Sequence, residues 1–146
     1  MNQPVVDLEG LEGAAAELAR RIGPGDRIFL TGDLGSGKTT FVRAMLRELG
    51  VRGTIPSPSF TVITSYPCRD FVFSHVDLYR LGATVEELEQ FGVLDLLESD
   101  GVVAVEWAER LPEALRAGGW TIRIGFLEGG VRELGIEHGR LAGDRD

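Results

Sequence analysis

The eight residues Gly32-Asp33-Leu34-Gly35-Ser36-Gly37-Lys38-Thr39 constrain this chain more than any other feature. They fit G-x-x-x-x-G-K-[ST] at every fixed position, and such a loop works only between a strand and a helix. The sequence supplies both flanks. Arg27-Ile28-Phe29-Leu30-Thr31 reads as a buried strand, and the segment from about Lys38 to Leu49 reads as a helix closed by Gly50. Positive φ at Gly35 and Gly37 lets the backbone curl tightly. The amides of Gly35, Ser36, Gly37, Lys38, Thr39 and Thr40 then point inward at a polyphosphate, and the helix N-terminus adds favourable dipole potential. In this arrangement Lys38 reaches the β- and γ-phosphates and Thr39 offers its hydroxyl to Mg2+. Composition singles out the same residue. Of fifteen basic residues fourteen are arginine, and Lys38 is the only lysine.

The rest of the chain supplies the sheet such a loop needs. Residues 4–8 read as a short strand. Leu11, Ala14, Ala15, Leu18, Ala19 and Ile22 recur at helical spacing, and Gly23-Pro24-Gly25-Asp26 ends that helix. A loop with two prolines fills residues 51–59. Phe60–Tyr66 and Phe71–Leu78 read as strands. Thr84-x-x-Glu87 is a capping box that opens a helix, and a second helical stretch covers Val93–Glu98. Val102-Val103-Ala104-Val105 is a continuous apolar run, as in a strand buried on both faces. Glu109–Ala117 reads as a short helix. Trp120–Phe126 and Val131–Glu137 read as a hairpin around Glu128-Gly129-Gly130, and residues 138–146 as a polar, frayed tail. The predicted fold class is α/β: a P-loop NTPase-like three-layer sandwich, its mixed sheet having a parallel core and antiparallel edge strands. At 146 residues one domain spanning 1–146 is expected.

A phosphate loop needs an acidic partner for hydrated metal, and two carboxylates qualify. Glu106 ends the apolar run, where the C-terminal edge of a strand meets the ligand crevice. Asp77 ends Phe71–Val76 and is placed at the neighbouring edge. Two carboxylates near one Mg2+ can divide the work, one orienting the metal and the other the attacking water. The lesser alternative for each is a surface carboxylate closing a strand, and the two together favour the metal. The catalytic candidates are thus Lys38, Asp77 and Glu106. Ser57-Pro58-Ser59-Phe60-Thr61 is either a stiff turn or a segment that senses the γ-phosphate. His75 reads as a structural histidine rather than a catalyst, and Trp107 as a core residue before a nucleotide lip. Arg80 is placed to meet phosphate, partner or solvent. With one lysine there is no Asn-Lys-x-Asp, which disfavours a guanine-specific GTPase. The lack of an arginine-rich lid segment, and the short chain, weaken a small-molecule kinase.

Gly32-Asp33-Leu34-Gly35-x-Gly37-Lys38-Thr39-Thr40, Ser57-Pro58-Ser59-Phe60, His75-x-Asp77-Leu78-Tyr79-Arg80 and Val105-Glu106-Trp107 follow one another in this order. Together they resemble the TsaE (YjeE) family of bacterial P-loop ATPases over about residues 5–137. The phosphate loop alone is generic; the Asp-Leu-Tyr-Arg and Glu-Trp segments are more specific. The resemblance implies ATP and Mg2+ as cofactors, with Gly35 to Thr40 on the phosphates and Thr39 and Glu106 on the metal. It implies a catalytic or water-positioning role for Asp77, a switch-like role for Ser57–Thr61, and proximity of Glu9–Leu11 and Arg132 to the nucleotide. It further implies a role in N6-threonylcarbamoyladenosine formation at position 37 of tRNAs reading ANN codons. That role is exerted on the TsaB–TsaD protein complex, so tRNA is met only indirectly. The chain departs from the family pattern at Ser59, where threonine is usual, and at Ala108, where proline is usual. The Ser59 hydroxyl is kept, and Ala108 touches no proposed ligand.

Charge agrees with a protein-facing role. The net charge is −8 and the pI about 4.8. Such a chain repels a phosphate backbone at long range, which argues against autonomous nucleic-acid binding. A single cysteine, Cys68, fits a reducing cytosol. No apolar run approaches a membrane span, and Met1-Asn2-Gln3-Pro4 does not open a signal peptide. A cytoplasmic location is expected. Two other readings compete with the ATPase: a nucleotide-dependent adaptor with incidental hydrolysis, and a small-molecule kinase.

Overall fold

The computed structural model describes residues 5–33, 35–52, 62–79, 81 and 84–139. Its centre is set by the most apolar strands. β2 (Arg27–Gly32) lies between β5 (Val102–Glu106) and β6 (Trp120–Phe126), and β4 (Val72–Asp77) lies beyond β5, all four parallel. Every residue of β5 is buried, as its unbroken apolar run requires of a strand covered on both faces. Hairpins extend this core at both edges. β3 (Ile63–Pro67) runs antiparallel to β4, β7 (Arg132–His138) antiparallel to β6, and β1 (Val5–Val6) antiparallel to β7. The resulting seven-stranded order is β1-β7-β6-β2-β5-β4-β3.

The two faces of this sheet bury separate clusters, which makes three layers. On one face α1 (Leu8–Ala19) and α2 (Lys38–Glu48) set Leu11, Ala15, Phe41 and Met45 against Ile28, Leu30, Phe73, Ala104 and Ile122. On the other, α3 (Val85–Gln90) and α4 (Val93–Leu97) set Leu88 and Val93 against Phe29, Val76, Val103 and Val105. Strand alternation produces the division, since Phe29 faces away from Ile28 and Leu30. Among the described residues, no helix is long and apolar enough to cross a membrane.

Several expectations shift. α1 starts at Leu8, because the Asp7 side chain accepts the Gly10 amide at 2.8 Å and caps the first turn. The apolar stripe begins only at Leu11 and misses this turn. The Thr84 capping box forms as read, with Thr84 accepting the Glu87 amide at 3.1 Å. The stretch expected as one helix over Glu109–Ala117 is two 3-10 turns, Ala108–Arg110 and Glu113–Arg116. Pro112 divides them, holding Leu111 extended at φ −77° and ψ 146°. β7 includes His138, whose ring stacks on Trp120 at 4.4 Å, so the tail begins one residue later than expected. The Ser57–Thr61 segment, Arg80 and the residues after Gly139 lie outside the described residues.

Candidate functional site

The phosphate loop leaves the C-terminal end of β2, where the parallel strands open a crevice. Gly35 and Gly37 have the positive φ expected of them, 79° and 119°. At Gly37 the need is also steric: a Cβ there would lie 2.8 Å from Leu11 Cδ2 and 3.3 Å from Arg132 Nε. Leu11 and Arg132 therefore both press on the loop. Arg132 Nε donates to the Ser36 carbonyl at 2.7 Å, tying the final hairpin to the loop. No side chain caps the N-terminus of α2. The amides of its first turn are left without intrahelical acceptors, as at any helix start. The Ser36 amide differs from expectation. It donates within the loop to the Asp33 carbonyl at 3.0 Å and so does not point at a ligand.

Lys38 is 4% exposed. Its ammonium donates to the Gly32 carbonyl and, at 3.0 Å, to that of Asp33. It also lies 3.9 Å from the centre of the Trp107 ring. Burial pushes its pKa below the ordinary lysine value, and Glu106, Glu109, Asp33 and Asp77 partly restore it. Trp107 is thus more than a core residue. It is the only non-glycine with positive φ among the described residues, at 60°. That turn swings its indole beneath the lysine and within 5.1 Å of the Tyr79 ring. Arg110, unremarked in the sequence, ties this turn to the segment that follows β4. Its Nη1 donates to the carbonyls of Leu78 at 3.1 Å, Tyr79 at 2.5 Å and Leu81 at 3.0 Å.

Both carboxylates reach the same place. Asp77 and Glu106 are directly paired across β4 and β5, and Glu106 is paired on its other side with Leu30 of β2. Glu106 is 3% exposed. The Thr39 hydroxyl lies 2.9 and 3.0 Å from its two carboxylate oxygens. The structure thereby joins the two residues expected at the metal. His75 contacts the same carboxylate through Nε2, so it is not a bystander of the core. Asp77 accepts the Tyr79 amide at 2.9 Å. Burial raises its pKa above the carboxylate norm. The Tyr79 amide opposes this, Glu106 adds to it, and His75 and Lys38 oppose it.

A hydroxyl and a carboxylate thus stand beside the glycine-rich loop, at the carboxyl ends of parallel strands, where open α/β sheets take their ligands. The family sequence model described as "Threonylcarbamoyl adenosine biosynthesis protein TsaE" matches residues 5–133. The chain belongs to the TsaE family. A curated TsaE of Streptomyces coelicolor is 39% identical over 109 residues, which are 73% of each chain. A TsaE of Haemophilus influenzae is 43% identical over 91 residues, 60% of this chain but only 57% of that protein's length. Both are named tRNA threonylcarbamoyladenosine biosynthesis proteins. The crystal structure of Bacillus subtilis YdiB superimposes with a TM-score of 0.67 at 30% identity, covering 90% of this chain and 82% of that one. The three-layer α/β fold read from the sequence is the fold observed.

The raised pKa of Asp77 has a measurable consequence in this TsaE. Between the unfolded and folded pKa values the folded state holds a proton that the unfolded state has released. Stability therefore falls as pH rises through that window, and the deficit persists at neutral pH. Asparagine can still accept the Tyr79 amide but carries no charge. Asp77→Asn is expected to melt no lower than the parent at pH 7, with any gain disappearing below about pH 4, where free carboxylates protonate. Thermal melts across pH test this; a lower melting point at neutral pH would contradict it.

Proposed function

We propose that this protein binds and hydrolyses ATP with Mg2+, and that it supports N6-threonylcarbamoyladenosine formation at position 37 of tRNAs reading ANN codons by acting on the TsaB–TsaD complex. The observation that carries this reading is the contact of the Thr39 hydroxyl with the Glu106 carboxylate, one residue from the phosphate-loop lysine. These donors fit Mg2+. Both are hard oxygens, and the buried carboxylate lacks a committed ammonium, since Lys38 is engaged by the Gly32 and Asp33 carbonyls. When bound, Mg2+ supplies charge neutralisation at the β- and γ-phosphates.

The chain's own residues supply the rest. Gly35, Gly37, Lys38, Thr39 and Thr40 bind the phosphates, while the Ser36 amide stays engaged within the loop. Lys38 turns from the loop carbonyls to the phosphate oxygens and places its charge where negative charge gathers during transfer. Asp77 orients water. The relatives' names support the tRNA role. A net charge of −8 supports contact with a protein complex, with tRNA met through it, in the cytoplasm.

The test is steady-state ATP hydrolysis by the protein alone and with its cognate TsaB–TsaD pair. Activation by the pair is expected. Equal turnover with and without the pair, at concentrations where the proteins associate, would remove the proposed target. Retention of tRNA modification with a non-hydrolysable ATP analogue would replace hydrolysis by the adaptor reading.

A further inference from the structure

We infer that His75 is a positioning residue for the metal carboxylate: its Nε2–H holds Glu106 Oε2 in the orientation in which both carboxylate oxygens meet the Thr39 hydroxyl. The inference rests on the proposed metal role of Thr39 and Glu106. Three observations carry it. First, β4 pairs with β5 so that His75 faces Ala104 and Asp77 faces Glu106. Side chains two apart on a strand share a face, so His75 leans diagonally onto the carboxylate that Asp77 flanks. Second, His75 is 1% exposed and Glu106 3%, and the imidazole Nε2 contacts Glu106 Oε2 directly. A carboxylate only accepts hydrogen bonds when ionised, so Nε2 must be the protonated nitrogen. Third, His75 Nδ1 is buried with no hydrogen-bond partner among the described residues. A proton there would be an orphaned donor, whereas a bare lone pair is the milder loss. Both ends of the ring therefore select the same tautomer.

The carboxylate is thus gripped by two donors, the Thr39 hydroxyl and the His75 imidazole. A cation at this site would be ligated through a lone pair of the Thr39 oxygen, which would leave the Thr39 O–H able to go on donating to the carboxylate. The imidazole contact need not change. His75 would then be the support from β4 that keeps Glu106 from rotating as the cation enters. Residues that hold a metal ligand typically alter metal affinity 10- to 100-fold when removed.

The experiment compares His75→Gln, which can still donate near the original Nε2, with His75→Leu, which fills the space but donates nothing. Binding of a fluorescent ADP analogue is titrated with Mg2+ and repeated in EDTA. His75→Leu is expected to need about tenfold more Mg2+ or above, with unchanged affinity in EDTA, and His75→Gln to stay within about threefold of the parent. Glu106→Gln serves as reference. If it leaves the Mg2+ requirement unchanged, the metal reading falls and this inference with it. If it raises the requirement but His75→Leu does not, or if Leu and Gln behave alike, only the positioning role is overturned. A measurement on the parent protein needs no variant to fold. Nitrogen-15 shifts of its two histidines should show a protonated Nε2 and a bare Nδ1 at His75. The opposite tautomer would overturn the inference.

Discussion

Lys38→Ala is expected to lower ATP hydrolysis by at least about 100-fold and to weaken ATP binding, in a protein that melts where the parent does. Charge-assisted hydrogen bonds are each worth about 1.5–3 kcal/mol. Two of them to phosphate oxygens amount to roughly 3–6 kcal/mol, and every 1.4 kcal/mol is about tenfold. The fold depends on Lys38 far less. Its ammonium is buried, and that burial already disfavours its charge. What it holds are two loop carbonyls at the mouth of the crevice and the face of Trp107. No other lysine exists to substitute for it. Calorimetric ATP titration and a circular-dichroism melt separate the two effects. A folded variant with parental affinity and turnover would remove the phosphate role of the loop, and the proposed function with it.

The parts of the site that were readable beforehand are local or periodic. The phosphate loop is one contiguous segment, and Glu106 ends an apolar run whose length marks a central strand. Asp77 is legible as the residue that ends the strand run Phe71–Val76, and period-two alternation from it puts His75 on the same face. The contact His75 makes with Glu106 is not legible, because an isolated histidine carries no spacing signal of its own. The contacts that brace the site were less legible because they join residues far apart through backbone carbonyls. Arg110 reaches carbonyls 29 to 32 residues away, and Arg132 reaches Ser36 across 96. A carbonyl belongs to every residue type, so no sequence pattern marks an arginine that will seek one. Only the family resemblance pointed to Arg132. The turn at Trp107 is hidden for a related reason. Positive φ is ordinarily announced by glycine, and here a tryptophan adopts it beneath a cation.

The largest loss of stability is expected from Gly32→Ala, at the junction of sheet and phosphate loop. Gly32 has φ 147°, which L side chains rarely adopt, and it is paired with Ile124 of β6. A Cβ at this position would lie 2.3 Å from the Ile124 carbonyl oxygen and 2.8 Å from Ser36 Oγ. The Ser36 side chain could turn, but the carbonyl belongs to the backbone of a paired central strand and cannot move without parting β2 from β6. Strained backbone contributes about 1–3 kcal/mol and overpacking a similar amount, for a combined loss of roughly 2–6 kcal/mol. Gly13 provides the contrast. It lies inside α1 with nothing within 4 Å of a Cβ, so Gly13→Ala should gain about 0.5–1 kcal/mol from helix propensity. Denaturant melts of the two variants should therefore move in opposite directions. Gly32→Ala should also displace the first residues of the phosphate loop, so nucleotide binding should fall even at temperatures where the variant is folded. Parental stability in Gly32→Ala would mean that β2 and β6 separate at their carboxyl ends without loss, and the rigid mouth described here would have to be replaced by a yielding one.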